Sequence, residues 1–247
     1  DMTLLIAIDD TDNTTSIGTG RLSRMLADEL VHTGLLNDTR VTRHQLLVHP
    51  DIPYTSHNSS ACIEAKSSGG SLDEMIQLSK TFLREHFHEG ANPGLCVMNL
   101  DDVSRELSEF GKRAQSSVIP LAEGKKLALS LSNTRQAVWW SGETGQGCIG
   151  AMAAVGLRRT GNDGTYIGLR GIRAITGMVA AGTLLQDTAI DRITGLDGKD
   201  LPPETLIDSQ DWIRPRLKDN LVVLELIPVN GHWRAPHEKK KKSKKEP

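Results

Sequence analysis

The chain has 247 residues, 38% hydrophobic and 24% charged, with a formal net charge of −2, a globular balance sufficient for one large domain or two ordinary ones. Three cysteines far apart in sequence, Cys62, Cys96 and Cys148, exclude a disulfide framework and a zinc ribbon and fit a reducing compartment. No stretch approaches the roughly 18 consecutive apolar residues of a membrane span, and the N-terminus lacks a basic region followed by a long apolar one, so a cytoplasmic protein with no membrane partner is expected.

Residues 4–22 read LLIAIDDTDNTTSIGTGRL: five apolar residues run unbroken and then meet Asp9, Asp10 and Asp12. This is the pattern of a buried strand ending in acid, at the position where α/β sheets usually hold ligands. Three carboxylates so close oppose one another's ionisation unless a cation or hydrogen bonds intervene. Oxygen-only ligands select hard ions, which makes Mg²⁺ with a bound polyphosphate the natural occupant. The alternative is an Asx-rich turn in which Asp9 and Asp10 cap backbone amides and no metal is involved.

Leu22, Met25, Leu26 and Leu30 recur at helical spacing and Gly34 stops the pattern, an amphipathic helix. Between strand and helix lie Thr14, Thr15, Ser16, Gly18, Thr19 and Gly20, small residues that let backbone amides approach a phosphate at the helix N-terminus. Residues 41–49 and 61–65 read as strands joined by the loop PDIPYTSHNSS. His44, His49 and His57 are expected to be ordinary surface or core imidazoles. Ser71 with Glu74 forms a capping box ahead of a second helix, Asn92, Pro93 and Gly94 break the chain before a short strand, and two further helices follow, the second beginning at Pro120. This order indicates a mixed α/β domain ending near Asn133.

A strand at 136–140 then precedes Gly145, Gly147 and Gly150, spaced G-x-G-x-x-G ahead of a helical run. Such a turn can receive a phosphate on its amides, or simply let a helix pack close to a sheet. A dinucleotide fingerprint also needs an acid at the end of the next strand, and Asp163 precedes the strand around Tyr166 instead. Trp139 and Trp140 are expected on opposite strand faces. Beyond Arg173 the chain is small, apolar and turn-rich until a closing strand at 221–227, and residues 238–247, EKKKKSKKEP, form a charge run expected to be a disordered, solvated tail, with a weak nucleic-acid tether as the alternative.

Several of these motifs together resemble one family. The IDDTD run with its Thr-bearing turn, the segment from Arg43 through His49, Pro50, Asp51, Ile52 and Pro53 to Asn58, the Asn92-Pro93-Gly94 break, and the series Gly145, Gly147, Ile149, Gly150, Ala151, Ala153, Ala154 and Gly156 are similar to the archaeal-type isoleucine-tRNA 2-agmatinylcytidine (agmatidine) synthetases. The resemblance implies a kinase-like α/β domain at 1–133 and a smaller ferredoxin-like domain at 134–236, with the tail at 237–247. The resemblance stops before the family's oligonucleotide-binding barrel and zinc ribbon, neither of which is expected in the residues that remain. It further implies ATP and Mg²⁺ as cofactors, with Asp9, Asp10 and Asp12 holding the metal and Thr19 taking part in catalysis. Gly18, Thr19, Arg43, Asn58, Gly145, Gly147 and Gly150 would bind the nucleotide. The implied partners are ATP, a tRNA or other nucleic acid, and a small amine that displaces a phosphorylated carbonyl oxygen. Two other readings stand beside this one: a non-catalytic nucleotide- or RNA-binding homologue, and a small-molecule ATP-dependent ligase that uses no RNA.

Overall fold

A computed structural model describes residues 2–12, 17–52, 58–135, 137–210 and 212–236. The charged tail, Thr14, Thr15, Ser16, Pro53 and His57 lie outside the described residues. The fold is mixed α/β, and the chain divides into two compact units, residues 1–170 with 217–220 and residues 171–216 with 221–247. The first unit thus runs on past Asn133, where the sequence suggests a junction, because the strand and helix that follow that point complete the same sheet and core.

In the first unit the elements are β1 (Thr3–Asp9), α1 (Thr19–His32), β2 (Leu36–Gln45), β3 (Ser59–Ser67), α2 (Leu72–His86), β4 (Gly94–Asn99), α3 (Arg105–Ser116), α4 (Leu121–Arg135), β5 (Val138–Trp140), α5 (Gly147–Arg159) and β6 (Thr165–Gly168). The sheet runs β5-β4-β1-β3-β2-β6, and each of these neighbours pairs antiparallel, so the unbroken apolar run of β1 does not mark a parallel sheet. Its cause is the same as in a parallel sheet, since β1 is central and helices cover both faces. Leu5 and Ala7, with Cys62 and Cys96 on the flanking strands, pack beneath α3, α4 and α5. Strand alternation turns Leu4, Ile6 and Ile8 to the face lined by α1, whose Leu22, Leu26 and Leu30 are wholly buried.

The local signals in the sequence are realised in detail. Ser71 accepts the Glu74 amide while the Glu74 carboxylate accepts the Ser71 amide at 2.7 Å, a complete capping box at the start of α2. The Arg84 guanidinium of α2 sits over Trp139 and the Lys125 ammonium of α4 near Trp140, which puts the two indoles on opposite sides of β5 as their alternation requires. The small residues of α5 serve close approach along its length. A methyl group on Gly156 would overlap the Leu107 carbonyl of α3, and one on Gly111 of α3 would press on the Ala153 carbonyl.

The second unit contains β7 (Met178–Ala180), α6 (Ala181–Asp187), β8 (Arg192–Gly195), β9 (Leu206–Asp208), β11 (Leu221–Val229) and β12 (His232–Arg234), while β10 (Arg216–Lys218) lies where the chain crosses between units. Here β11 pairs parallel with β8 and antiparallel with β12, and β9 pairs parallel with β12 and antiparallel with β7. The closing strand expected at 221–227 is β11, and the Arg173 and Arg214 guanidiniums stack on the Trp212 indole at 4.6 and 4.5 Å. Since α3 and α5 touch backbone to backbone at their glycines, Gly156→Ala is expected to cost about 2–3 kcal/mol by forcing the helices apart, measured by chemical denaturation.

Candidate functional site

The carboxyl end of β1 is where the first unit opens. Asp9 is the last residue of the strand and pairs with Gly94 of β4; Asp10 leaves extended geometry at φ 50°, a left-handed conformation that Asp tolerates better than most residues. In a continuing strand the two side chains would point to opposite faces. The left-handed step instead lets Asp9 and Asp10 line the same cavity, of about 250 Å³.

One wall of that cavity is apolar: Leu46 after β2, Ala114 at the end of α3, Val118, Ile119, Pro120 and Leu121 from the link into α4, and Ile149 of α5. The polar lining is Asp9, Asp10, Asp51, Asn58, Ser59, Ser117 and Gln146, with no Lys, Arg or His among the described lining residues. Burial, then repulsion from Asp10, holds the Asp9 carboxyl well above the ordinary range, while the Asp10 amide donates to it in partial compensation. Burial and the neighbouring Asp12 charge push Asp10 up to about 6, opposed by the Asn92 amide.

Asn92 ties this corner together. Its amide serves Asp10, its carbonyl accepts the Gly147 amide at 2.9 Å, and its side-chain oxygen accepts the amides of Thr144 and Gly145 at 2.7 and 3.3 Å. The Cys148 and Ile149 amides donate to the carbonyls of Gly145 and Gln146, so the amides of this turn are spent inside the protein. What the glycines provide is room. A methyl group at Gly150 would overlap the Asp9 carboxylate, and one at Gly147 would strike the Asn92 carbonyl and the Gly94 amide. Gly145, at φ 66°, takes a conformation that glycine adopts without strain.

The other expected site residues divide. Asn58 lines the cavity but its side chain donates to the Leu47 carbonyl at 2.6 Å and its own carbonyl accepts the Leu46 amide, bracing the cavity edge. Asp12 turns toward α1, where the Thr19 hydroxyl donates to it at 3.1 Å and itself sits 3.0 Å from the Thr11 hydroxyl. Thr19 is buried at the first position of α1, after Gly18, whose carbonyl accepts the Arg21 and Leu22 amides. Arg43 pairs with Ala61, which faces the same way as Ile8, so its side chain leaves β2 on the sheet face opposite Asp9. Among the described residues no three His, Cys, Asp or Glu side chains form a ready-made metal cluster. The pair Asp9 and Asp10 beside open volume is nonetheless the donor set suited to Mg²⁺, which binds through one or two carboxylates and fills its remaining positions with water or phosphate.

Sequence reasoning missed the link between α3 and α4 and a buried polar chain of Thr42, His44 and Asp163. His44 is wholly buried, its Nδ1 2.7 Å from Asp163 Oδ1 and its Nε2 2.8 Å from the Thr42 hydroxyl. Burial draws the imidazole below its usual value, against the pull of Asp163. Alternation in β2 puts Thr42 and His44 on one face, but only the tertiary fold delivers Asp163 to them.

No family model and no curated protein matches the sequence. Solved structures do match the fold. A tRNA fluorescent labeling enzyme aligns with TM-score 0.51 and 23% identity over 63% of this chain and 36% of that one. The agmatidine synthetase TiaS in its apo form aligns with TM-score 0.50 and 23% identity over 63% and 35%, and TiaS in complex with tRNA and ATP with TM-score 0.51 and 24% identity over 63% and 36%. The match therefore spans about a third of each of those proteins, and at such identity the likeness is one of fold.

Because Asp10 has a value near 6 when folded against 3.8 when unfolded, its ionisation works against folding, a penalty absent near pH 3 and complete above pH 7. In metal-free buffer at pH 7.5, Asp10→Asn is expected to raise the thermal midpoint by about 2–4 °C by calorimetry, with the gain vanishing toward pH 4.

Proposed function

We propose that the first unit binds ATP with Mg²⁺ and transfers a phosphoryl group, in an ATP-dependent ligase cycle that activates a carbonyl-type oxygen for attack by an amine. The observation that carries this reading is the pair Asp9 and Asp10, both lining one cavity whose lining also includes Leu46, Val118, Ile119 and Ile149. Their raised proton affinities mark a place that lacks positive charge, and no cationic side chain among the described lining residues supplies it. A triphosphate beside these carboxylates needs a divalent ion between the two. The fold shared with TiaS, solved in complex with tRNA and ATP, supports the same assignment.

In this scheme Asp9 and Asp10 would hold the ion, which would supply neutralisation of the phosphate charge. Asp9, pinned between β1 and the first turn of α5 by the contact with Gly150, fixes the position of the site. Asp10, held by the Asn92 amide, supplies the second carboxylate. The apolar wall of Val118, Ile119 and Ile149 is suited to a flat base and excludes water from it. Transfer of the terminal phosphoryl to the carbonyl oxygen leaves ADP, and the incoming amine then expels phosphate. Positioning and charge neutralisation supply most of the acceleration in such transfers.

Thr19 is better suited to bracing than to accepting phosphate, since its hydroxyl is buried and engaged by Asp12 and Thr11. The nucleic acid and the amine enter as proposed substrates by likeness to TiaS. Calorimetric titration with Mg-ATP tests the assignment: the wild-type chain is expected to bind, and Asp10→Asn to lose about tenfold to a hundredfold in affinity, the scale of one charge-assisted ligand. Equal affinities in the two proteins would remove the carboxylate pair from the function.

A further inference from the structure

Behind the cavity a single carboxamide joins three elements. The Leu47 amide donates to the Ala114 carbonyl at 3.0 Å, which brings the chain just beyond β2 against the end of α3. Beside that bond, Gln115 Nε2 donates to the Gln45 carbonyl at 3.1 Å and to Asp163 Oδ2 at 2.9 Å, so both of its protons are committed. Leu46 and Ala114, the neighbours of these bonded residues, face the cavity.

We propose that Asp163 is a positioning residue for the cavity, setting through Gln115 the spacing between the end of β2 and the end of α3. A carboxylate only accepts, so it compels Gln115 to present its nitrogen. Were the carboxamide turned over, its oxygen would meet the Gln45 carbonyl oxygen and the tie between strand and helix would fail. His44 in turn orients Asp163. Its Nδ1 donates to the Asp163 carboxylate at 2.7 Å, while its Nε2 lies 2.8 Å from the Thr42 hydroxyl, which also reaches the Cys62 carbonyl at 3.3 Å. The other charged group facing the imidazole is Arg158 of α5, itself paired with Glu64 of β3.

Thr42, His44 and Asp163 have the contact order of a nucleophile, a base and its orienting acid. Chemistry of that kind is closed to them, since Thr42 is 1% and His44 0% exposed and no acyl group can reach the hydroxyl. The chain of bonds acts by placement instead, and the nucleotide reading enters only through one arm of its test.

Amide hydrogen exchange by NMR on the full chain, together with Mg-ATP titration, examines three variants. Asp163→Asn keeps an oxygen toward His44 but offers its amide to Gln115, which must turn over and release Gln45; the Leu47 amide is then expected to exchange about tenfold faster. Gln115→Met, similar in bulk but without donors, behaves alike, and Gln115→Lys, whose ammonium serves both acceptors, restores the slow rate. Ile6 and Val97, in β1 and β4, keep their rates throughout. Mg-ATP affinity falls several-fold in the first two variants and returns in the third. An unchanged Leu47 rate, equal acceleration at Ile6 and Val97, failure of the Lys variant to restore, or an affinity indifferent to Asp163 would each overturn the proposal. A wild-type chain that binds no Mg-ATP would remove the nucleotide reading, and the exchange rates would still decide the role of Asp163.

Discussion

Two carboxylates held against their own ionisation at the end of a central strand set the terms for the rest of the first unit. Asp9 and Asp10 are both half-buried, and charge is made costlier at Asp9 by Asp10 and at Asp10 by Asp12. Such a corner persists only where the surrounding backbone over-determines it. That role falls to Asn92, whose amide, carbonyl and side-chain oxygen engage Asp10 and the glycine turn together, and to Gly150, which leaves the Asp9 carboxylate its space against α5. In the function proposed, the stability surrendered here is what a bound cation would restore.

The glycine-rich turn shows how one sequence pattern can stand for two physical situations. A strand, three spaced glycines and a helix suggest amides free to receive a phosphate. In the folded chain the Gly145, Gly147, Cys148 and Ile149 amides all have partners within the protein, and the glycines mark closeness between backbones. Gly94 and Gly147 approach so nearly that neither tolerates a methyl group, and this contact seats α5 on the sheet beside Asp9. Phosphate recognition, in the function proposed, rests on the acidic pair and its ion.

Much of the first unit was legible because its signals are local. The apolar run of β1, the capping box at Ser71 and Glu74, the stripe of α1 and the break at Asn92 and Pro93 each depend on residues within a turn or two of one another. The acidic pair was legible for the same reason. The antiparallel pairing of β1 was not, because a strand covered by helices on both faces has the same composition in either orientation. The face that Arg43 takes was not legible either, since it is decided by the pairing with Ala61 across 18 residues of sequence. Farther still, His44 and Asp163 are separated by 119 positions, and nothing short of the tertiary fold announces that they touch.

The central claim is that the acidic pair exists to hold a cation and the polyphosphate it carries. Carboxyl carbon NMR of Asp9 and Asp10, titrated against pH with and without Mg-ATP, addresses it directly. The account predicts that Asp10 titrates near pH 6 in the free chain and falls below about 4 when Mg-ATP is present, as a carboxylate does beside an opposite charge. A titration curve that stays where it was at saturating Mg-ATP would contradict the account.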